Sequence, residues 1–379
     1  MKIRGWIFLV KTILFDVDGV LLSEEHYFDA SALTVWEMLI SCNYLALAPE
    51  KFRTNYKEAE IKEIRKQVFG ENDEILKFMK SRGLNANWDM IYLSFSHQLI
   101  HLLSQIKETE YEKITKWCQA PIDRETLLEM GRVLSNYQVQ MDFSLFVKDY
   151  ERSQAMKQEL LDYLNVLAWE KLSVETSIFH KGILWSVCEH VSQEWYVGDE
   201  HVLESTGLPS VQTGKQGFLV NETTLAPKDK ISELFQYLKA AGYQIGIGTG
   251  RPALETIQPF YHLDWLKHFD EKHIVTADEV LIAEKEIPEK RSLSKPHPFT
   301  YIAGIYGKDK PVEECLEMSH ASEVLVVGDS LADLLAARQI GAQMAAVLTG
   351  LSGKDARADF EKHQADFILD SVLDLKGIL

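Results

Sequence analysis

Residues 12–25 read TILFDVDGVLLSEE. A short apolar run ends on two carboxylates, Asp16 and Asp18, spaced so that both can look toward one point, and Gly19 follows them. The apolar part is what a strand buried on both faces of a parallel sheet looks like. Asp18-Gly19 alone is an ordinary turn signal, so a solvated turn explains this stretch unless other residues converge on it.

The chain has 379 residues, 46% hydrophobic and 26% charged, which predicts two globular domains and no extended disorder. Its 40 basic and 57 acidic side chains leave a net charge of −17, which repels phosphodiester backbones and anionic headgroups. Nucleic-acid and membrane-surface partners are therefore disfavoured. A small anionic substrate stays compatible, because a cation and backbone N–H groups reverse the field inside one pocket.

Cys42, Cys118, Cys188 and Cys315 are scattered, with no pair at metal-knuckle or redox spacing, as expected of reduced thiols in a cytoplasm. The N-terminal MKIRGWIFLVKTILF is basic and apolar like a signal peptide. Lys11 interrupts it, no small-residue cleavage site follows, and it runs straight into the acidic stretch, so it is read as part of the fold. No segment approaches the roughly 20 apolar residues of a membrane span.

Working outward from residues 12–25, the texture from about 24 to 210 is helical. In WDMIYLSFSHQLIHLLSQI, residues 88–106, Trp88, Ile91, Tyr92, Phe95, Leu99, Leu102, Leu103 and Ile106 share one face at helical spacing. Further helices are expected at about 124–136 and 151–170. From about 228, short apolar runs at 243–249, 323–329 and 344–350 alternate with helical segments at about 229–241, 297–306, 331–340 and 354–363. That alternation predicts an α/β fold, a Rossmann-like doubly wound parallel sheet. The expected domains are a core of residues 1–23 and 211–379 and an inserted, mostly α-helical cap domain of residues 24–210, with hinges near Leu22–Glu25 and around 205–225.

Ligands of open parallel sheets bind beyond the carboxyl ends of the strands. Asp16 and Asp18, Thr249 in GIGTGRP, and Asp329 with Asp333 in VVGDSLAD all fall at such ends. Two carboxylates about 4 Å apart repel by about 4 kcal/mol at an effective dielectric near 20, so several in one crevice call for a cation. All-oxygen ligation with room for waters suits Mg²⁺ better than Zn²⁺.

With FDVDGV at 15–20, GTGRP at 248–252, SKPHP at 294–298 and GDSLAD at 328–333, in that order, the chain resembles the haloacid dehalogenase-like hydrolase superfamily across its whole core. Residues 324–350 are similar to the phosphoglycolate-phosphatase-like branch, though the insert is larger than usual there. The resemblance implies a Mg²⁺-dependent phosphatase acting on a small phosphorylated metabolite. In it Asp16 is the nucleophile that forms an aspartyl-phosphate, and Asp18 is the general acid and base. Asp16, the Asp18 backbone carbonyl and Asp329 would hold Mg²⁺. Thr249 and the Gly250 N–H would bind phosphate oxygens, and Lys295 would bind both nucleophile and phosphate.

Each of these residues also has a plainer explanation. Thr249 can cap the helix after Pro252, Lys295 can be a solvated loop lysine, and Arg251 reads as a structural ion pair more readily than as a substrate contact. Ser330 to Asp333 has the form of a capping box, so Asp333 serves either the helix or the metal site. His97 and His101 lack the Glu of a zinc-protease helix, since Gln98 stands there, and they are expected on a solvated face. The 350–355 stretch lacks phosphate-loop spacing and is expected to be a turn before a helix. Trp36, Tyr44, Trp185, Trp195 and Tyr196 are expected in the insert's core, which leaves His180-Lys181 as its basic pair of interest.

Two alternatives stand beside the phosphatase: a phosphomutase or other phosphoryl transferase that shields the aspartyl-phosphate from water, and a regulatory binding protein with residual catalysis. Asp18 disfavours a dehalogenase. The absence of a DKTGT motif and of membrane spans disfavours an ion-pump ATPase.

Overall fold

The computed structural model describes residues 10–84, 86–290, 292–318 and 321–379. Most of the N-terminal run weighed above as a signal peptide, residues 1–9, lies outside them. The chain divides into two compact units: the described residues up to Glu24 with Leu219–Leu379, and Glu25–Phe218.

The first unit is built on six parallel strands, β1 (Thr12–Phe15), β2 (Gln244–Gly248), β3 (Ile274–Val275), β4 (Val324–Gly328), β5 (Gln343–Val347) and β6 (Phe367–Leu369), in the order β3-β2-β1-β4-β5-β6. β1 is central, with Leu14 in register with Gly246 on one side and Val326 on the other. Its side chains alternate between two cores, as the period of two requires. Ile13 and Phe15 join Ile245, Ile247, Leu325 and Val327 against helix Lys228–Ala240. Leu14 joins Val326, Met344 and Ala346 against helices Phe299–Tyr306 and Leu331–Gln339. Strand order reverses at β1, which opens a crevice at its carboxyl end. The short β3 and β6 had no sequence signal of their own.

Two chain segments connect this unit to the insert and run side by side within it. Leu22 bridges Thr224 in antiparallel fashion, Ser23 N–H donates to the Thr223 carbonyl at 2.8 Å, and Leu225 N–H donates to the Leu21 carbonyl at 3.1 Å.

The regular elements of the second unit's described residues are all helices, from helix Glu25–Ile40 to helix Gly198–Thr206. It differs from expectation in three places. Residues 211–218 belong to it and not to the core, because the Lys215 ammonium is fully buried between Glu37, at 2.7 Å, and Glu194. The helix expected from 151 starts at Glu159, since Arg82 Nη1 takes the Ser153 and Ala155 carbonyls at 3.1 and 3.3 Å. Helix Asn87–Ser104 is buried on nearly all sides, so His97 is not solvated. It is fully buried, with Nε2 2.9 Å from Asp149 Oδ2, while His101 is partly exposed.

Of the five aromatic residues, Trp36, Tyr44, Trp195 and Tyr196 are buried and Trp185 is half-buried. Lys181 is engaged with buried Asp89 at 2.8 Å. No helix of the described residues is long and apolar enough to cross a membrane.

Candidate active site

Asp16 follows the last residue of β1, and its N–H continues the sheet by donating to the Val327 carbonyl at 2.8 Å. The carboxylate is nearly buried, 8% exposed. Its Oδ1 accepts the Val17 N–H at 2.8 Å, and its Oδ2 lies 2.7 Å from Lys295 Nζ. Burial pushes the Asp16 pKa up to about 7, against the pull of the Lys295 charge and with added repulsion from Asp333 and Asp18.

Lys295 reaches from its loop to the end of the sheet. Besides Asp16 it meets Asp333 Oδ1 at 2.8 Å and the Gly248 carbonyl at 3.2 Å. Burial opposes its charge, but Asp16 and Asp333 outweigh that effect and hold its pKa above the ordinary lysine range.

Asp333 lies in the first turn of helix Leu331–Gln339 and is fully buried. Oδ1 accepts from Lys295 and, at 2.6 Å, from the Tyr301 hydroxyl. Oδ2 accepts from the Ser330 hydroxyl at 2.6 Å and the Ser330 N–H at 3.2 Å. The capping box is formed, and both carboxylate oxygens have partners. Burial raises the Asp333 pKa, yet Lys295, Ser330 and Tyr301 together bring it below the usual value.

Asp329 sits at the end of β4. Gly19, with φ +70°, and Gly350 both flank its carboxylate. A Cβ at either glycine would lie 2.1 or 1.9 Å from Asp329 Oδ2, so only glycine leaves that space. Burial, then the charges of Asp333, Asp16 and Glu24, pushes the Asp329 pKa well above the carboxylate range. Carboxylate oxygens of Asp16, Asp329 and Asp333 all lie within 4.8 Å of one another. This is a donor set that suits a hard divalent cation. Each Asp333 oxygen already has two partners and each Asp16 oxygen one, so Asp16 and Asp329 keep the greater capacity for the ion.

Thr249 follows β2. It is buried, its N–H donates to the Val275 carbonyl at 3.0 Å, and its hydroxyl accepts the Arg251 N–H at 3.2 Å. Gly250 is exposed, with nothing near the position of a Cβ. The Asp18 side chain is 28% exposed and is held by Arg251, whose Nη2 is 2.6 Å and Nε 2.8 Å from Asp18 Oδ1. Arg251 also pairs through Nη1 with Glu222 Oε1 at 2.8 Å.

The structure thus brings Asp16, Lys295, Asp329 and Asp333 into direct proximity, with Asp18, Thr249 and Gly250 on the loops beyond β1 and β2. Glu222 and Tyr301 complete the network and carry no local sequence signal. Residues 350–352 turn into a short 3₁₀ helix, Gly353–Ala356, ahead of helix Arg357–Lys362, and Gly350 lies beside the acidic cluster, next to Asp329.

A family model described as HAD-hydrolase-like matches residues 292–375. Pyrophosphatase PpaX of Bacillus thuringiensis (strain Al Hakam) is 31% identical over 153 residues, 40% of this chain and 58% of that protein. PpaX of Bacillus cereus (strain B4264) matches with the same figures. The chain therefore spans 58% of the length of these curated relatives. An X-ray structure of a Northeast Structural Genomics Consortium target is 38% identical, covers 97% of this chain and 98% of its own, and superposes with a TM-score of 0.88. The same fold, helical insert included, thus occurs in another protein.

Proposed function

Because the chain belongs to the haloacid dehalogenase-like hydrolase superfamily, we propose that it is a Mg²⁺-dependent phosphatase that hydrolyses a small phosphorylated metabolite through Asp16. The observation that carries this reading is the meeting of Asp16, Lys295, Asp329 and Asp333 at the carboxyl ends of β1 and β4.

Asp16 attacks phosphorus, the bond to the leaving oxygen breaks, and Asp18 gives that oxygen a proton. Water then attacks the aspartyl-phosphate, Asp18 takes a proton back, and phosphate leaves with Asp16 restored. Lys295 counters the effect of burial by favouring the ionised nucleophile and offers its remaining donor capacity to phosphate oxygens, alongside the Thr249 hydroxyl and the Gly250 N–H. Mg²⁺, held by Asp16, Asp329 and the Asp18 backbone carbonyl, would neutralise charge on the transferring group. Asp333 acts by fixing Lys295.

The similarity to PpaX places inorganic pyrophosphate among the substrates to be tried. The net charge of −17 argues against nucleic-acid substrates. All four cysteines are free, three of them buried, which supports a reducing compartment such as the cytoplasm.

The test is phosphate release from an aryl phosphate, followed by a panel of phosphorylated metabolites and pyrophosphate. Activity should require Mg²⁺, vanish with chelator and vanish in Asp16→Asn. Full turnover by Asp16→Asn would overturn the mechanism.

A further inference from the structure

Arg251 is among the largest fully buried side chains, and its guanidinium lies between two carboxylates on separate parts of the first unit. One is Asp18, after β1. The other is Glu222, whose side chain is 1% exposed and which precedes Thr223 and Thr224, the residues that pair with Ser23 and Leu22. Arg251 is anchored further by the Glu255 carbonyl, 3.2 Å from Nη1, and through its N–H by Thr249. A buried guanidinium is expensive to desolvate, and stability alone is as well served by apolar residues of similar size. Two guanidinium nitrogens converge on a single oxygen, Asp18 Oδ1, which fixes the carboxylate in place while the side chain keeps 28% exposure. That is the arrangement a group needs if it must meet a substrate oxygen at one distance and angle.

We infer that Glu222 and Arg251 are positioning residues that set the Asp18 carboxylate for proton transfer, so that the paired connector segments at 22–23 and 223–224 help to define the acid/base geometry. The inference rests on the reading of Asp18 as acid and base. Glu222 fixes the rotamer of Arg251, Arg251 fixes Asp18, and neither touches the transferring phosphoryl group.

Leaving groups separate this role from simple structural support. kcat/KM reports the first irreversible step, in which the leaving oxygen departs. A nitrophenolate departs without a proton, whereas an alkoxide needs one. With the full-length protein and Mg²⁺, Glu222→Gln and Arg251→Lys should lower kcat/KM for a simple alkyl phosphate by about 30-fold or more. They should change kcat/KM for 4-nitrophenyl phosphate by less than about 3-fold, because general acid help is typically worth about 10²–10⁴. The ratio of the two constants is independent of the fraction of protein that folds. Equal losses on both substrates, or no loss on the alkyl phosphate, overturn the inference. Asp18→Asn is the separate control. If it keeps alkyl phosphatase activity, the acid/base reading fails; if it loses activity while Glu222→Gln matches the parent protein, only the positioning role fails.

Discussion

Lys295 Nζ stands 2.7 Å from Asp16 Oδ2 and is nearly buried with it, so the proposed nucleophile and the cation that favours its ionised form share one dry site. Asp333 takes the same ammonium from the other side at 2.8 Å. Lys295→Met should therefore abolish phosphatase activity and leave two buried carboxylates facing each other. Breaking a buried pair costs about 3–5 kcal/mol. Urea denaturation in chelator should show a loss of that order at pH 8 and a smaller one at pH 6, where Asp16 can hold a proton.

Cation binding should release protons. Burial pushes the Asp16 pKa up to about 7 and raises that of Asp329, so a cation that favours their ionised forms near neutral pH displaces protons, from Asp16 at the least. Calorimetric titration with Mg²⁺ at pH 6.5, in buffers of different ionisation enthalpy, should give buffer-dependent heats. Buffer-independent heats would count against a site built on these two carboxylates.

Gly350→Ala tests the notch beside Asp329. The new methyl would overlap Asp329 Oδ2, and the carboxylate has to swing away. Mg²⁺ affinity should fall about 10- to 100-fold, in the range seen when supports of metal ligands are removed. Because Gly350 does not have a positive φ, the melting temperature in chelator should change little.

The helical insert should show its own pH signature at Asp149. Burial alone would raise this carboxylate, but hydrogen bonds from His97 and Lys171 and the Lys171 charge outweigh it and hold the pKa at about 2. A depressed folded-state pKa gives stability that is present above the unfolded value and lost as pH falls through the folded one. Asp149→Asn should therefore be less stable than the parent at pH 6, and the difference should close between about pH 4 and 2. A difference that stays constant down to pH 2 would remove Asp149 from the account of acid stability.

The parts of this structure that sequence makes legible share one property: chain position and spatial position coincide. β1, β2 and β4 are apolar runs followed by polar residues, so Asp16, Thr249 and Asp329 announce both their strand and its carboxyl end. The capping box from Ser330 to Asp333 is local too, and it forms as expected. β3 spans only Ile274–Val275, too short for any period to show. Glu222 and Tyr301 belong to the site through partners 29 and 32 residues away, Arg251 and Asp333, and nothing beside them in the chain records that. His97 was misplaced for a different reason. Ser94 and Gln98 make its helix look half polar, yet these side chains are buried; Ser94 returns its hydroxyl to the Met90 carbonyl at 2.8 Å, and Gln98 Nε2 donates to the Asp142 carbonyl at 2.8 Å. Polarity marked internal hydrogen bonding there, not solvent.

The central place of β1 has a consequence for how the protein is made. Its neighbours on both sides, β2 and β4, come from the far side of the insert. The strand that leads to Asp16 thus leaves the ribosome early and acquires its partners late. The insert, an unbroken run from Glu25 to Phe218, is fully synthesised in between and can fold as a unit while it emerges. Until Gln244–Gly248 arrives, Thr12–Phe15 is an apolar strand with two open edges, the kind of segment that chaperones cover. Biogenesis therefore depends on keeping β1 waiting for β2 and β4, which are made only after the insert.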